Sequence, residues 1–120
     1  MKKLTPLLIV ALIFTACGRK PVTGSLSSTS PDGKTTISVD GKKASSLDPF
    51  TVTLEAKSGK ESMGSLQFEI TASTLDASNV KFDWSDANNC IITFTHSDGE
   101  KRVFRYYATT SSVILREETK

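Results

Sequence analysis

Residues 50–57 read Phe-Thr-Val-Thr-Leu-Glu-Ala-Lys, so apolar and polar side chains alternate strictly along this stretch. Successive side chains of a β-strand point to opposite faces of a sheet, whereas an amphipathic helix repeats its apolar residues every three or four positions. The stretch therefore predicts a strand with one face in a core and the other in water. Its core face consists of Phe50, Val52, Leu54 and Ala56.

The same period of two recurs along the rest of the chain. Residues 66–70 and 80–85 alternate in the same way, and shorter runs rich in Val, Ile, Thr and aromatic residues suit a pleated sheet. Asp32-Gly33 and Asp98-Gly99 are typical of hairpin turns between such runs. Together they predict an all-β fold, a small antiparallel β-sandwich or barrel of about seven or eight strands.

Length and charge restrict the function classes. The chain has 120 residues, of which 38% are hydrophobic and 23% charged, and this suits one small globular domain. The formal net charge of +2 comes from Lys2 and Lys3 alone, because 13 basic and 13 acidic residues balance from Cys17 onward. A neutral chain has no basic surface for nucleic acid, so we expect no nucleic-acid partner.

The first residues combine a cationic start with a short apolar run. Lys2 and Lys3 precede residues 7–14, which are all apolar. A membrane-spanning helix needs about 20 apolar residues, so this run is too short to be a permanent span. The pattern predicts a secretory signal peptide that is cleaved from the mature protein.

Residues 14–17, Phe-Thr-Ala-Cys, end this segment and resemble the lipobox of bacterial lipoproteins, with Phe14 where that family most often has Leu. The resemblance implies a lipoprotein signal peptide at residues 1–16 and a diacylglyceryl group on the sulfur of Cys17. Two acyl chains tether a protein stably to a membrane. By the same resemblance, Gly18 after the cysteine favours the outer membrane in a Gram-negative cell. An ordinary secretory signal with an incidental Cys17 is the alternative.

Residues 17–29 are rich in Gly, Ser, Thr and Pro, which predicts a flexible stalk beyond the lipidated cysteine. Residues 30–120 then form the single β-domain. The far end of the stalk is also a candidate first strand, through Val22, Leu26 or both. Residues 30–34, Ser-Pro-Asp-Gly-Lys, resemble the segment that often opens the folded part of small bacterial lipoproteins of unknown function.

The second cysteine, Cys90, lies in a strand-like run and is interpreted as a small buried hydrophobe, with an exposed reactive thiol as the alternative. The sequence has no Cys-x-x-Cys pair, which argues against a redox motif or a zinc site. If Cys17 is not lipidated, a Cys17–Cys90 disulfide is open in an exported protein.

Residues capable of catalysis are few. His96 is the single histidine, and its nearest acids are Asp98 and Glu100 in a turn. Asp83 with Asp86 does not complete the oxygen-ligand set that calcium requires. No Gly-x-Ser-x-Gly nucleophile motif is present. We therefore expect no enzymatic activity, no cofactor and no metal.

Two features are candidates for binding. Arg102, Arg105, Tyr106 and Tyr107 bring cations and aromatic rings onto one strand, and Tyr and Arg are enriched in interface hot spots. Tyrosines half-buried in a sandwich are the alternative interpretation. Trp84, the only tryptophan, is interpreted as an anchor of the core because its strand alternates regularly.

These observations favour a lipid-anchored protein of the bacterial cell envelope that acts as a non-catalytic binding module. The expected partners are the membrane, through the N-terminal lipid, and another envelope protein. The alternative is a stoichiometric inhibitor or immunity-type lipoprotein that blocks an envelope enzyme. A glycan-binding role ranks below both, and an enzyme would have to depend on His96 and its neighbouring acids.

Overall fold

The computed structural model describes residues 21–118, so the predicted signal peptide at residues 1–16 and the lipidation site Cys17 lie outside it. Every regular element in the described range is a strand. This range contains no helix that could cross a membrane. The strands are β1 (Val22–Thr29), β2 (Thr35–Lys43), β3 (Phe50–Ser58), β4 (Glu61–Ile70), β5 (Val80–Asp86), β6 (Asn89–Thr95), β7 (Lys101–Ala108) and β8 (Val113–Glu118).

The strands form two four-stranded antiparallel sheets, each in chain order. We call β1–β4 the N-sheet and β5–β8 the C-sheet. The predicted all-β, antiparallel fold is therefore confirmed, with eight strands. Gly99 turns the chain between β6 and β7 with a φ of 93°, a conformation that costs glycine least. The predicted Asp98-Gly99 hairpin is thus present.

Both sheets contribute their inner faces to one core. The four predicted core positions of β3, from Phe50 to Ala56, have no exposed surface. The ring of Phe68 in β4 stacks on that of Phe104 in β7, with 4.3 Å between the ring centroids. Phe94 of β6 meets Phe68 edge to face, at 5.0 Å between centroids. Aromatic contacts therefore join the two sheets directly.

The segment that connects the sheets, residues 71–79, also fills part of the core. Gly24 of β1 and Gly41 of β2 are paired directly in register. A Cβ atom added to Gly24 would lie 2.5 Å from the carbonyl oxygen of Leu75, and one added to Gly41 would lie 2.5 Å from Leu75 Cδ2. Leu75 is only 4% exposed. The glycine pair therefore makes a hollow that Leu75 occupies.

The structure differs from the predicted stalk at residues 22–29, which form β1 and pair with β2 along their whole length. The inward positions of β1 carry Val22, Gly24, Leu26 and Ser28, and only the first and third are large apolar residues. Because Ser and Thr occupy the outward positions, the composition of this strand resembles that of a linker. Val22 and Leu26 pack against the core, in agreement with the alternative prediction that the far end of the stalk is a first strand.

Trp84 is half-buried near the edge of the C-sheet and packs against the core rather than inside it. Its indole Nε1 donates a hydrogen bond to Ser28 Oγ at 2.9 Å. Its ring meets that of Tyr106 edge to face, with 6.1 Å between centroids. Trp84 therefore links β5 to β1 across the gap between the two sheets.

Candidate functional site

The outward residues of the C-sheet form the surface that carries the predicted cation and aromatic cluster. Strand alternation turns Arg105 and Tyr107 away from the core, while Phe104 and Tyr106 on the same strand point inward. The cluster that faces outward on β6–β8 is called the Tyr107 face. Its members are Ile91, Val103, Arg105, Tyr107, Ile114, Arg116 and Glu118.

An apolar pair lies at one end of this surface, beside the turn that joins β7 to β8. Tyr107 of β7 and Ile114 of β8 are directly opposite each other in the strand register. Each keeps 40% of its surface exposed, although both are large apolar side chains. Cross-strand neighbours have their Cβ atoms about 5 Å apart, so the two side chains form one continuous apolar patch.

Two guanidinium groups lie on one side of the apolar pair. Arg105 and Arg116 are register partners, and both lie near the carboxylate of Glu118, each at 3.5 Å from Nε to the nearest oxygen. Arg105 also donates from Nη1 to Asn89 Oδ1 at 3.1 Å. One carboxylate therefore serves two cations, so these three groups together carry one net positive charge. Charged groups on a protein surface can contribute to binding through electrostatic complementarity.

The other two predicted binding residues, Tyr106 and Arg102, are engaged in contacts that hold the fold together. Tyr106 is 1% exposed and lies in the core, so it presents no surface to a partner. Arg102 donates to both carboxylate oxygens of Glu117, at 2.8 and 2.6 Å, and from Nη1 to the Glu69 carbonyl at 3.1 Å. Its guanidinium also lies 5.1 Å from the ring centroid of Phe68. Arg102 therefore joins the C-sheet to the N-sheet.

The hydrogen bond from Arg102 holds the pKa of Glu117 below its usual value and raises the pKa of Arg102. Both groups are partly exposed, at 30% for the Arg102 side chain and 38% for Glu117. An ion pair in such a position contributes about 0.2–1 kcal/mol. The pair therefore fixes geometry more than it adds stability.

His96 and the nearby acids are engaged by the backbone. His96 Nδ1 accepts a hydrogen bond from the Thr71 N–H at 3.1 Å, which assigns the proton of a neutral ring to Nε2. Asp98, beside His96, accepts from the Glu100 N–H, and Asp86, at the other end of β6, accepts from the Asn88 N–H, so both carboxylates close turns. Within residues 21–118 no group of three His, Cys, Asp or Glu residues is placed to hold a metal ion.

Cys90 lies on the inner side of β6 with no exposed surface. Its thiol is directed to the Ile91 carbonyl, with 3.7 Å between sulfur and oxygen. Burial raises the pKa of the thiol to about 11, so it stays protonated at neutral pH and is a poor nucleophile. A disulfide with Cys17 would require that residue, which the structure does not describe, to reach the interior.

The outer side of the N-sheet has a different chemistry. Ser25, Asp40, Thr53 and Gln67 form one row across its four strands, and Ser25 donates to Asp40 at 2.7 Å. Two adjoining concavities, of about 660 and 380 Å³, follow this surface. We call it the Ser/Thr face, because hydroxyl side chains occupy most of its outward positions.

Two exposed apolar residues, Ile114 and Leu47, were not singled out by sequence. Ile114 sits between Val113 and Leu115, and a continuous apolar run does not reveal which residue points outward. Leu47 lies between two strands in a polar stretch and is 92% exposed. The strand phase set by the Tyr106–Leu115 pairing is the signal that identifies Ile114.

Comparison of the chain with protein-family models, with curated proteins and with solved structures finds no match.

Proposed function

We propose that this protein is a lipid-anchored component of the bacterial cell envelope that binds another protein without catalysis. The lipobox-like residues 14–17 and the preceding signal support the anchor on Cys17. Gly18 supports the outer membrane as its location in a Gram-negative cell. The two sheets that share one core form a β-sandwich in this proposal, supported by the Phe68 stacking contact.

The exposed Tyr107–Ile114 pair carries the assignment of the binding surface. Tyrosine is enriched among residues that dominate binding energy, and exposed apolar patches with a polar surround are typical of interaction sites. Arg105 and Arg116 supply that surround and leave positive charge in excess. The partner that fits is an envelope protein with an apolar depression and carboxylates at its edge.

A photo-crosslinking amino acid at position 107, in the full chain in its native envelope, tests the surface. We expect a discrete crosslinked protein at this position. The matched control is position 27 on the outer side of β1, where Ser27 is also exposed. Equal crosslinking from both positions, or none from position 107, contradicts the assignment.

The identity of the crosslinked protein decides between two roles. An enzyme that loses activity when mixed with this protein at an equimolar ratio supports the inhibitor or immunity-type alternative. A partner without such an effect supports a binding module. Replacement of His96 by Ala should leave either function unchanged, since its Nδ1 is already bonded to Thr71.

The mass of the intact protein from its membrane fraction tests the anchor. We expect a chain that starts at Cys17 and carries acyl chains, and we expect the acyl mass to be lost in Cys17→Ala. A soluble protein without acyl mass contradicts the lipid anchor. A mass lower by two hydrogens would instead indicate a Cys17–Cys90 disulfide.

A further inference from the structure

The loop of residues 44–49 joins β2 to β3 and exposes the most accessible large apolar side chain among residues 21–118. Leu47, at its tip, is 92% exposed. Tyr107 and Ile114, by comparison, are each 40% exposed. We call residues 44–49 the Leu47 loop.

Hydrogen bonds hold this loop in shape. The ammonium group of Lys43, a residue only 5% exposed, donates to the Ala72 carbonyl at 2.6 Å and to the Ser46 carbonyl at 3.4 Å. The Asp48 N–H donates to the Ser45 carbonyl at 3.1 Å. Leu47 is therefore presented outward by a constrained turn, so its exposure does not come from a loose segment.

The Leu47 loop lies at the same end of the N-sheet as the start of β1. Val22 is the register partner of Lys43, so Pro21 stands beside the beginning of the loop. Pro21, Ala44, Asp48 and Pro49 line one concavity of about 660 Å³. The N-terminal end of the described chain and the loop are therefore neighbours.

Only Gly18, Arg19 and Lys20 separate Cys17 from Pro21. An extended chain spans at most about 3.6 Å per residue, so Pro21 lies within roughly 14 Å of the Cα of Cys17. The polar headgroup layer on each side of a bilayer is on the order of 5–8 Å thick. A lipid on Cys17 therefore keeps this end of the domain next to the membrane surface.

We propose that the Leu47 loop is a second membrane contact, which inserts Leu47 among the lipid headgroups and sets the orientation of the domain. This inference rests on the proposed lipid anchor. Lys42, Asp48 and Glu69 surround the concavity beside the loop, so its local charge is mixed. Apolar transfer of Leu47 therefore drives the contact, which forms on zwitterionic as well as anionic lipid.

An environment-sensitive fluorophore attached through Leu47→Cys tests the contact. The lipidated full chain is reconstituted into phosphatidylcholine vesicles that contain a lipid with a nitroxide near the top of its acyl chain. The buried Cys90 thiol, with its raised pKa, reacts slowly with the label under native conditions. The matched control is Lys60→Cys, in the exposed turn between β3 and β4 at the opposite end of the N-sheet.

We expect a blue shift and nitroxide quenching at position 47 and an aqueous spectrum at position 60. A second measurement avoids the label: the vesicle affinity of unlipidated Cys17→Ser should fall about tenfold when Leu47→Ser is added, the effect of removing one buried leucine. Acyl mass on Cys17 with aqueous spectra at both positions overturns the loop contact and leaves the anchor intact. Absence of acyl mass overturns the anchor and this inference with it.

Discussion

The two outer faces of this molecule are built on equal numbers of strands and differ in chemistry. The Ser/Thr face of the N-sheet presents rows such as Ser25–Asp40–Thr53–Gln67. The Tyr107 face of the C-sheet presents an aromatic and aliphatic pair beside Arg105 and Arg116. Hydroxyl groups remain solvated on a sheet surface, whereas an exposed Tyr–Ile pair leaves apolar surface in water.

The concavities and the exposed aromatic residue therefore lie on different faces of the molecule. Two concavities follow the Ser/Thr face, and neither contains an exposed aromatic side chain. The Tyr107 face instead offers a residue type that dominates binding energy at protein interfaces. Ser and Thr side chains remain hydrated on the outer side of a sheet, so the hydroxyl surface needs no explanation beyond folding. An exposed Tyr107–Ile114 pair does not stabilise the fold in this way. We therefore propose the C-sheet, and not the N-sheet, as the surface that binds a partner.

The largest expected effect concerns the inner side of the N-sheet. Leu75→Ala should lower the free energy of unfolding by about 2–5 kcal/mol, since it empties the hollow over Gly24 and Gly41. Leu47→Ala, the same substitution at a 92% exposed residue, should change it by less than about 0.5 kcal/mol. Urea denaturation of both variants measures the difference. Similar small effects would show that Leu75 does not fill the core.

Substitutions on the two outer faces should differ in their effect on the affinity for a partner. Tyr107→Ala should weaken partner binding by about 2 kcal/mol, or roughly thirtyfold, if it is a hot spot. Ser27→Ala on the Ser/Thr face should leave affinity unchanged. Titration calorimetry with the crosslinked partner gives both values, and thermal unfolding confirms that each variant is folded. A larger loss from Ser27→Ala would reverse the assignment of the two faces.

Alkaline pH should lower the free energy of unfolding through Cys90, which lies on the inner side of the C-sheet. Burial raises the pKa of this thiol from 9.0 to about 11, so its contribution to stability is complete below pH 9 and is lost as the pH rises toward 11. The loss amounts to at most about 2–3 kcal/mol. The unfolding free energy of Cys90→Ala should therefore fall less steeply between pH 9 and 11. Parallel pH profiles for the two proteins would contradict this.

The smallest effect is expected at the Arg102–Glu117 ion pair, which joins β7 to β8 within the C-sheet. Arg102 lowers the pKa of Glu117, so the pair stabilises the protein above the usual glutamate pKa and the stabilisation is lost as the pH falls through the lowered value. Glu117→Gln should cost about 0.2–1 kcal/mol at pH 7 and less in acid. Glu100→Gln, at an exposed turn residue, is the control. A cost that stays constant with pH would contradict this role for Glu117.

Strand positions were predictable where one face is uniformly apolar. Residues 50–57 alternate without exception, and all four predicted core positions are fully buried. β1 was harder, because Gly24 and Ser28 occupy inward positions and remove half of its apolar signal. Gly24 is inward because it must admit Leu75, a contact between distant parts of the chain that local sequence does not reveal.

The candidate surface was predictable only in part. Alternation along β7 separates Arg105 and Tyr107 from Tyr106, and the structure places them on opposite sides of the sheet. The position of Arg102 depends on its pairing with Glu117 and on the approach of the Glu69 carbonyl from the other sheet. Ile114 depends on the register between β7 and β8. The phase of β8 relative to β7 depends on the turn that joins them, and an uninterrupted apolar run such as residues 113–115 does not reveal it.

The order of the strands has a kinetic consequence. Each sheet joins only strands adjacent in sequence, so its contacts are local and should form early in folding. The hollow of Leu75 is complete only after β1 and β2 have paired, so Leu75 in the connecting segment enters it after that step. We therefore expect Leu75→Ala to accelerate unfolding while leaving the rate of strand pairing almost unchanged, which stopped-flow measurements would detect. We therefore expect the connecting segment, residues 71–79, to pack late in folding, after the strands of each sheet have paired.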